Sequence, residues 1–147
     1  MVTRIGTAAQ NLVLTTRMIE QQQTVADDQT TVLARLSADG SLAVRRTGPS
    51  TVHLVGTAAG PLNGDVVEVD VAVRPGALLA VEGVAATIAL PGPGPVPATW
   101  TLIVDVGAGA RLVCAPQPIV VCAGARLRTR TEVSLARDAS LDLVEQV

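Results

Sequence analysis

Val66-Val67-Glu68-Val69-Asp70-Val71-Ala72-Val73, running into Arg74-Pro75-Gly76-Ala77-Leu78-Leu79, carries the clearest structural signal in the chain. Side chains alternate between the two faces of a β-strand, so Val67, Val69, Val71 and Val73 share one face. Val66, Glu68, Asp70 and Ala72 take the other. A turn then follows, in which Gly76 tolerates a positive φ and the small Ala77 lets the next strand pack closely.

The same succession of residue types returns three times: Val106-Gly107-Ala108-Gly109-Ala110-Arg111-Leu112, Val121-Cys122-Ala123-Gly124-Ala125-Arg126-Leu127 and Leu135-Ala136-Arg137-Asp138-Ala139-Ser140-Leu141. In each copy an aliphatic residue is followed by two spacers, Gly or Asp, Ala, one variable residue and Leu. Val106, Val121 and Leu135 lie about 15 residues apart, and the step from Val73 to Val106 is about twice that, a spacing that marks a repeated strand and turn. Further alternation appears at Leu102, Val104 and Val106, and at Leu127, Thr129, Thr131, Val133 and Leu135. The prediction is an all-β chain, a distorted β-helix or double-layered β-solenoid built of stacked strand pairs. A Greek-key sandwich fits less well, since its hairpins need share no turn chemistry. Pro91-Gly92-Pro93-Gly94-Pro95-Val96-Pro97 lacks donors for a central strand and reads as an exposed loop linking two sheet layers.

Residues 1–31 are polar and weakly patterned, and they read as a loosely held N-terminal arm before a β domain over 32–147. Thr15 to Val25 is expected to form one short helix within that arm.

Composition excludes several functions. Hydrophobic residues make up 48% of the 147 and charged ones 16%, which leaves few surface charges and points to a face covered by a partner. Trp100 is the only aromatic residue, so base-stacking or sugar-stacking platforms are not expected. A net charge of −2 argues against a nucleic-acid backbone binder. No apolar run reaches the ~20 residues that cross a bilayer, and the first residues lack a signal-peptide pattern, so the reading is cytoplasmic.

The raw materials for catalysis are sparse, and no catalytic residue is assigned. All basic residues are arginines, which removes Schiff-base chemistry and the P-loop lysine; no Gly-x-Ser-x-Gly elbow and no His-x-x-x-His pair occurs. His53, the one histidine, reads as a hydrogen-bonded strand residue. Cys114 and Cys122 read as buried reduced thiols. A metal site would require His53, Cys114 and Cys122 to converge. Gly60-Pro61-Leu62-Asn63-Gly64-Asp65 reads as a tight turn in which Gly64 takes unusual backbone angles and Asp65 bonds nearby amides, with Asp65 also available as a hard oxygen ligand. Arg126, Arg128 and Arg130 project from one strand face beside Glu132, either solvated or as a ladder for docking a partner.

Taken in order, Gly60 to Asp65, Val69 to Ala77, Ala115-Pro116-Gln117-Pro118-Ile119 leading to Gly124-Ala125-Arg126-Leu127, and Ala139 to Glu145 resemble the UreD (UreH) family of urease accessory proteins. The resemblance covers about Val32 to Val147. It implies a helical β architecture and a non-catalytic scaffold with no tightly bound cofactor, which assists nickel insertion into urease. It also implies, as partners, the urease apoprotein, a second accessory protein UreF and, through UreF, the GTPase UreG. Asp65, Gln117 and Glu145 fall on motif positions; Asp65 and Glu145 are the carboxylates expected on a nickel path, and Gln117 joins the arginines as a partner contact. Two departures stand out: Leu62-Asn63-Gly64-Asp65 replaces a double glycine before the aspartate, and the family pattern continues past the equivalent of Glu145, which implies a truncated or divergent member. The alternative reading is a short β-solenoid that binds itself or a protein unrelated to urease.

Overall fold

The computed structural model describes the backbone of residues 9–18, 31–38 and 42–147, and the side chains of residues 42–147. Twelve strands follow one another among these residues: β1 Ala9–Met18, β2 Thr31–Ala38, β3 Leu42–Arg46, β4 Thr51–Gly56, β5 Val66–Val73, β6 Leu78–Gly83, β7 Thr87–Ala89, β8 Ala98–Val106, β9 Arg111–Ala115, β10 Ile119–Val121, β11 Leu127–Leu135 and β12 Ser140–Leu143. They form two five-stranded sheets, ordered β11-β8-β5-β1-β2 and β12-β9-β6-β4-β3, and a two-stranded side of β10 and β7. From β5 onward the chain visits first sheet, second sheet and narrow side in turn, and every neighbour along this winding is parallel. The architecture is the stacked β-solenoid that the alternation and the repeat lead one to expect.

The valine strand shows why the coil closes. Val67, Val69, Val71 and Val73 are all buried, facing Leu79 and Val81 of β6 across the interior, and the same inner row continues through Leu102, Val104 and Val106 of β8 and Leu112 and Cys114 of β9. The inner face of each sheet needs such an aliphatic row, since β-branched side chains pack well on a pleated surface.

The repeated turn occupies two different corners. Copies at Gly76, Gly109 and Asp138 stack where the first sheet passes into the second, whereas the copy at Gly124 joins β10 to β11. All four residues have positive φ, at 72°, 64°, 82° and 57° for Gly76, Gly109, Gly124 and Asp138. Each turn is closed alike, by Ala77 N–H to Arg74 O, Ala110 to Gly107, Ala125 to Cys122 and Ala139 to Ala136, at 3.0 to 3.2 Å. The spacing near 15 residues is therefore half a coil. A whole coil takes 33 residues from Val66 to its partner Thr99, and 29 from Ala98 to Leu127. The longer coil contains the Pro91–Pro97 loop, which links β7 to β8 as expected.

One expectation fails. Thr15–Met18 do not begin a helix but end strand β1, which lies between β5 and β2. β5 offers a ladder of backbone partners from Ala9 to Thr15, and β2 pairs Leu12 to Met18 on the other side. Adjacent threonines, stiff at χ1, favour that ladder over a helical turn. Residues 19–25 of the expected helix lie outside the described residues.

Glycine also governs how closely coils stack. A Cβ on Gly107 would lie 2.6 Å from Pro75 N and 3.0 Å from Arg74 C in the preceding coil, while Gly109 has open space and only its left-handed backbone to strain. Gly109→Ala should therefore cost about 1–2 kcal/mol, and Gly107→Ala distinctly more. Urea unfolding followed by circular dichroism checks the order; equal losses would show that the corner does not depend on close approach.

Candidate functional site

Between the two sheets lies a cavity of about 90 Å³, bounded by β4, β6 and β9 on one side and by β5, β8 and β11 on the other, so it runs along the axis of the coil. Most of its wall is aliphatic. Its polar groups gather towards the last coil, where Cys114, Gln117, Thr129, Glu145 and Gln146 line it. A larger apolar cavity of about 310 Å³ adjoins it and shares Leu42, Gly56, Ala85, Thr87 and Trp100, which makes the single aromatic side chain a common wall. Trp100 is only half buried. It replaces, in the inner row of β8, an aliphatic side chain of the kind that fills the rest of the interior.

Three residues singled out in the sequence meet here. Cys114 points inward from β9 and is 1% exposed. Burial first, and then the negative charge of Glu145, push its thiol up to about 12. It is a neutral thiol at physiological pH. Glu145 follows β12, and the Thr131 hydroxyl lies 2.9 and 2.8 Å from its two carboxylate oxygens, able to donate to one at a time. Gln117 sits between two prolines on the link from β9 to β10, and its backbone N packs so tightly on Gly83 of the previous coil that a Cβ there would lie 2.5 Å away.

The remaining residues lie elsewhere. Asp65 lines neither cavity: its Oδ2 accepts the Leu62 N–H at 2.9 Å, beside Gly64 at φ 91°, which is the turn chemistry read from the sequence. His53 projects from the outer face of the second sheet, with Nε2 3.2 Å from Glu82 and Nδ1 2.7 Å from the Thr47 hydroxyl. Cys122 is half buried at the corner between β10 and β11. The set His53, Cys114 and Cys122 is thus not assembled, and among the described residues no group of three or more His, Cys, Asp or Glu is placed to hold a metal ion. Of the arginines, only Arg128 and Arg130 belong to β11. Arg126 precedes the strand and donates to Pro95 O at 3.0 Å, and Arg130 pairs with Glu132 at 2.9 Å.

Asn63, passed over in the sequence as part of a turn, ties three loops together. Its Oδ1 accepts the Arg126 N–H at 2.8 Å, and its Nδ2 lies 3.3 Å from Gly94 O and 3.4 Å from Gly124 O. Gly92 makes room for it, since a Cβ there would meet Asn63 N and O at 2.9 Å. Thr131 was likewise visible only as one inward position of an alternating strand.

The family model for the UreD urease accessory protein matches residues 19–147. The chain belongs to the UreD family. A urease accessory protein UreD of Parafrankia sp. (strain EAN1pec) is 47% identical over 107 residues, covering 70% of this chain and 36% of the relative. That of Streptomyces coelicolor is 41% identical over 120 residues (79% of this chain, 47% of the relative), and that of Frankia casuarinae 38% over 143 (83% and 45%). This UreD-family chain spans between about a third and a half of the length of these relatives. No helix among the described residues is long and apolar enough to cross a membrane.

The Cys114 thiol gives a clean pH signature. Its pKa is higher in the folded chain than the ordinary 9.0, so the native state keeps a proton that the unfolded chain releases. Stability is then lost as pH rises from about 9 towards about 12. The chain has no lysine and no tyrosine to obscure this window. The urea midpoint should fall between these pH values, and Cys114→Ala should flatten the decline; an unchanged slope in the variant would assign the effect to another group.

Proposed function

We propose that this chain is a non-catalytic urease accessory scaffold, acting in the cytoplasm, that binds the urease apoprotein together with UreF and, through UreF, UreG, and assists nickel on its way to the urease active site. The observation that carries the reading is membership of the UreD family across residues 19–147, the segment that supplies every residue lining the axial cavity. The names of its relatives, urease accessory proteins, supply the system in which it works.

The chemistry of the cavity is consistent with transit. Ni²⁺ accepts oxygen and nitrogen ligands, and a route must bind it weakly enough to release it. Glu145 offers one carboxylate, already engaged by Thr131; Gln117 offers an amide, and Cys114 holds its proton. Asp65 stands outside the cavity and would serve, if nickel passes it, at an entrance near the Gly60–Asp65 turn. For docking, Arg128, Arg130 and Gln117 are exposed, and Arg126 keeps an exposed guanidinium anchored on Pro95. A scaffold unrelated to urease has in its favour exposed aliphatic side chains such as Leu78, Val84 and Ile88.

Co-expression with urease apoprotein and UreF, followed by pull-down and measurement of nickel per urease, tests the reading. A ternary complex is expected. Glu145→Gln should leave the complex intact and lower the nickel delivered severalfold. A chain that ignores both proteins would remove the proposal; an intact complex with full nickel loading in the variant would remove Glu145 from the route.

A further inference from the structure

Asn63, which ties three loops together, is followed by Gly64. An Asn-Gly pair is chemically the most prone to deamidation, because glycine has no Cβ to hinder attack of its nitrogen on the preceding side-chain amide. The space beside Gly64 is open, with no atom within 4 Å of where a Cβ would stand. The turn itself opposes that attack. Asp65 N–H donates to Leu62 O at 2.9 Å, Asn63 keeps a negative φ and Gly64 has φ 91°, which makes Leu62–Asp65 a type II turn with ψ of Asn63 at about +120°. A five-membered ring through Asn63 Cβ and Gly64 N needs those two atoms eclipsed about the Cα–C bond, and this ψ turns them well apart. The side chain is held too, through Oδ1 by the Arg126 N–H and through Nδ2 on Gly94 O and Gly124 O.

We propose that Asn63–Gly64 is a deamidation site that the closed junction protects, and that its conversion leaves the junction open for good. When the junction opens and ψ rotates, the Gly64 nitrogen gives up its proton to base and bonds to Asn63 Cγ. The Cγ–Nδ2 bond breaks, and ammonia leaves with a proton from solvent. Water then opens the succinimide at either carbonyl, giving aspartate or isoaspartate at position 63. Neither product rebuilds the junction. A carboxylate has no N–H to offer Gly94 O and Gly124 O and sets its charge against both carbonyls, and isoaspartate also adds a methylene to the backbone of the turn. The Pro91–Pro97 loop and the corner between β10 and β11 then lose their shared tie to the Gly60–Asp65 turn.

Peptide mass spectrometry of the full chain, incubated at mildly alkaline pH, tests the proposal. The amide at position 63 should convert at least about tenfold more slowly in the folded chain than in the same chain unfolded in urea, since conversion waits on opening. Urea below the unfolding midpoint should speed conversion progressively. Gly92→Ala, whose Cβ would meet Asn63 N and O at 2.9 Å, should speed it severalfold without urea. In Asn63→Asp, the Arg126 amide should exchange with solvent deuterium at least about tenfold faster than in the parent chain. Equal conversion in the folded and unfolded chains, or a folded-state rate that neither urea nor Gly92→Ala moves, would overturn the protection. Unchanged Arg126 exchange in Asn63→Asp would overturn the lasting opening.

Discussion

The left-handed backbone at Gly76, Gly109 and Asp138 is the constraint on which the molecule depends. These three residues turn the chain from one sheet into the other at the same corner of successive coils, and there the amide of one turn reaches the carbonyl of the next. Gly76 N–H donates to Ala108 O at 2.9 Å and Gly109 N–H to Arg137 O at 3.0 Å. The turn thus serves two purposes, reversing the chain and carrying the hydrogen-bond ladder through the corner. Ala77 and Ala110, both 1% exposed, sit behind it because a larger side chain would push the coils apart.

From that corner the interior follows. Stacked coils place like beside like, so Val69 lies over Leu102 and Leu79 over Leu112, and the core grows as rows rather than as a cluster. Rows of valine and leucine fill the space near the corner. Towards the narrow side of β7 and β10 the chain supplies Gly56, Gly83, Ala85 and Thr87 in place of bulky groups. These small residues leave room beside the aliphatic wall, and Leu42 and Trp100 are the large side chains that the axial cavity shares with its neighbour. The polar end is built differently: Glu145 reaches the cavity from the segment after β12, and a hydroxyl on β11 holds it.

Much of this was legible in the residues. Four valines in alternate positions marked β5, and its burial follows that alternation throughout. The Gly or Asp of the repeated turn marked positive φ, including Asp138, where only the comparison between copies distinguished an aspartate in a turn from an ordinary surface aspartate. Other features had no local signature. Thr15–Met18 took a strand because β2 was there to pair with, a fact that a window of sequence does not contain. Asn63 joins segments 31 and 61 residues away, so its role could not be read from its neighbours.

The sequence by itself determined the class of fold, the positions of the turns and the family, because alternation and φ tolerance are properties of short segments and a family pattern is a property of ordered motifs. Tertiary structure alone decided how the repeats are used. It assigned three copies to one corner and the fourth to another, gathered Cys114, Gln117 and Glu145 on one cavity, and kept Asp65 and His53 away from it. The physical reason is the winding of the coil: residues about 30 positions apart become neighbours, and only the pitch, which depends on loop lengths such as that of Pro91–Pro97, determines which ones meet.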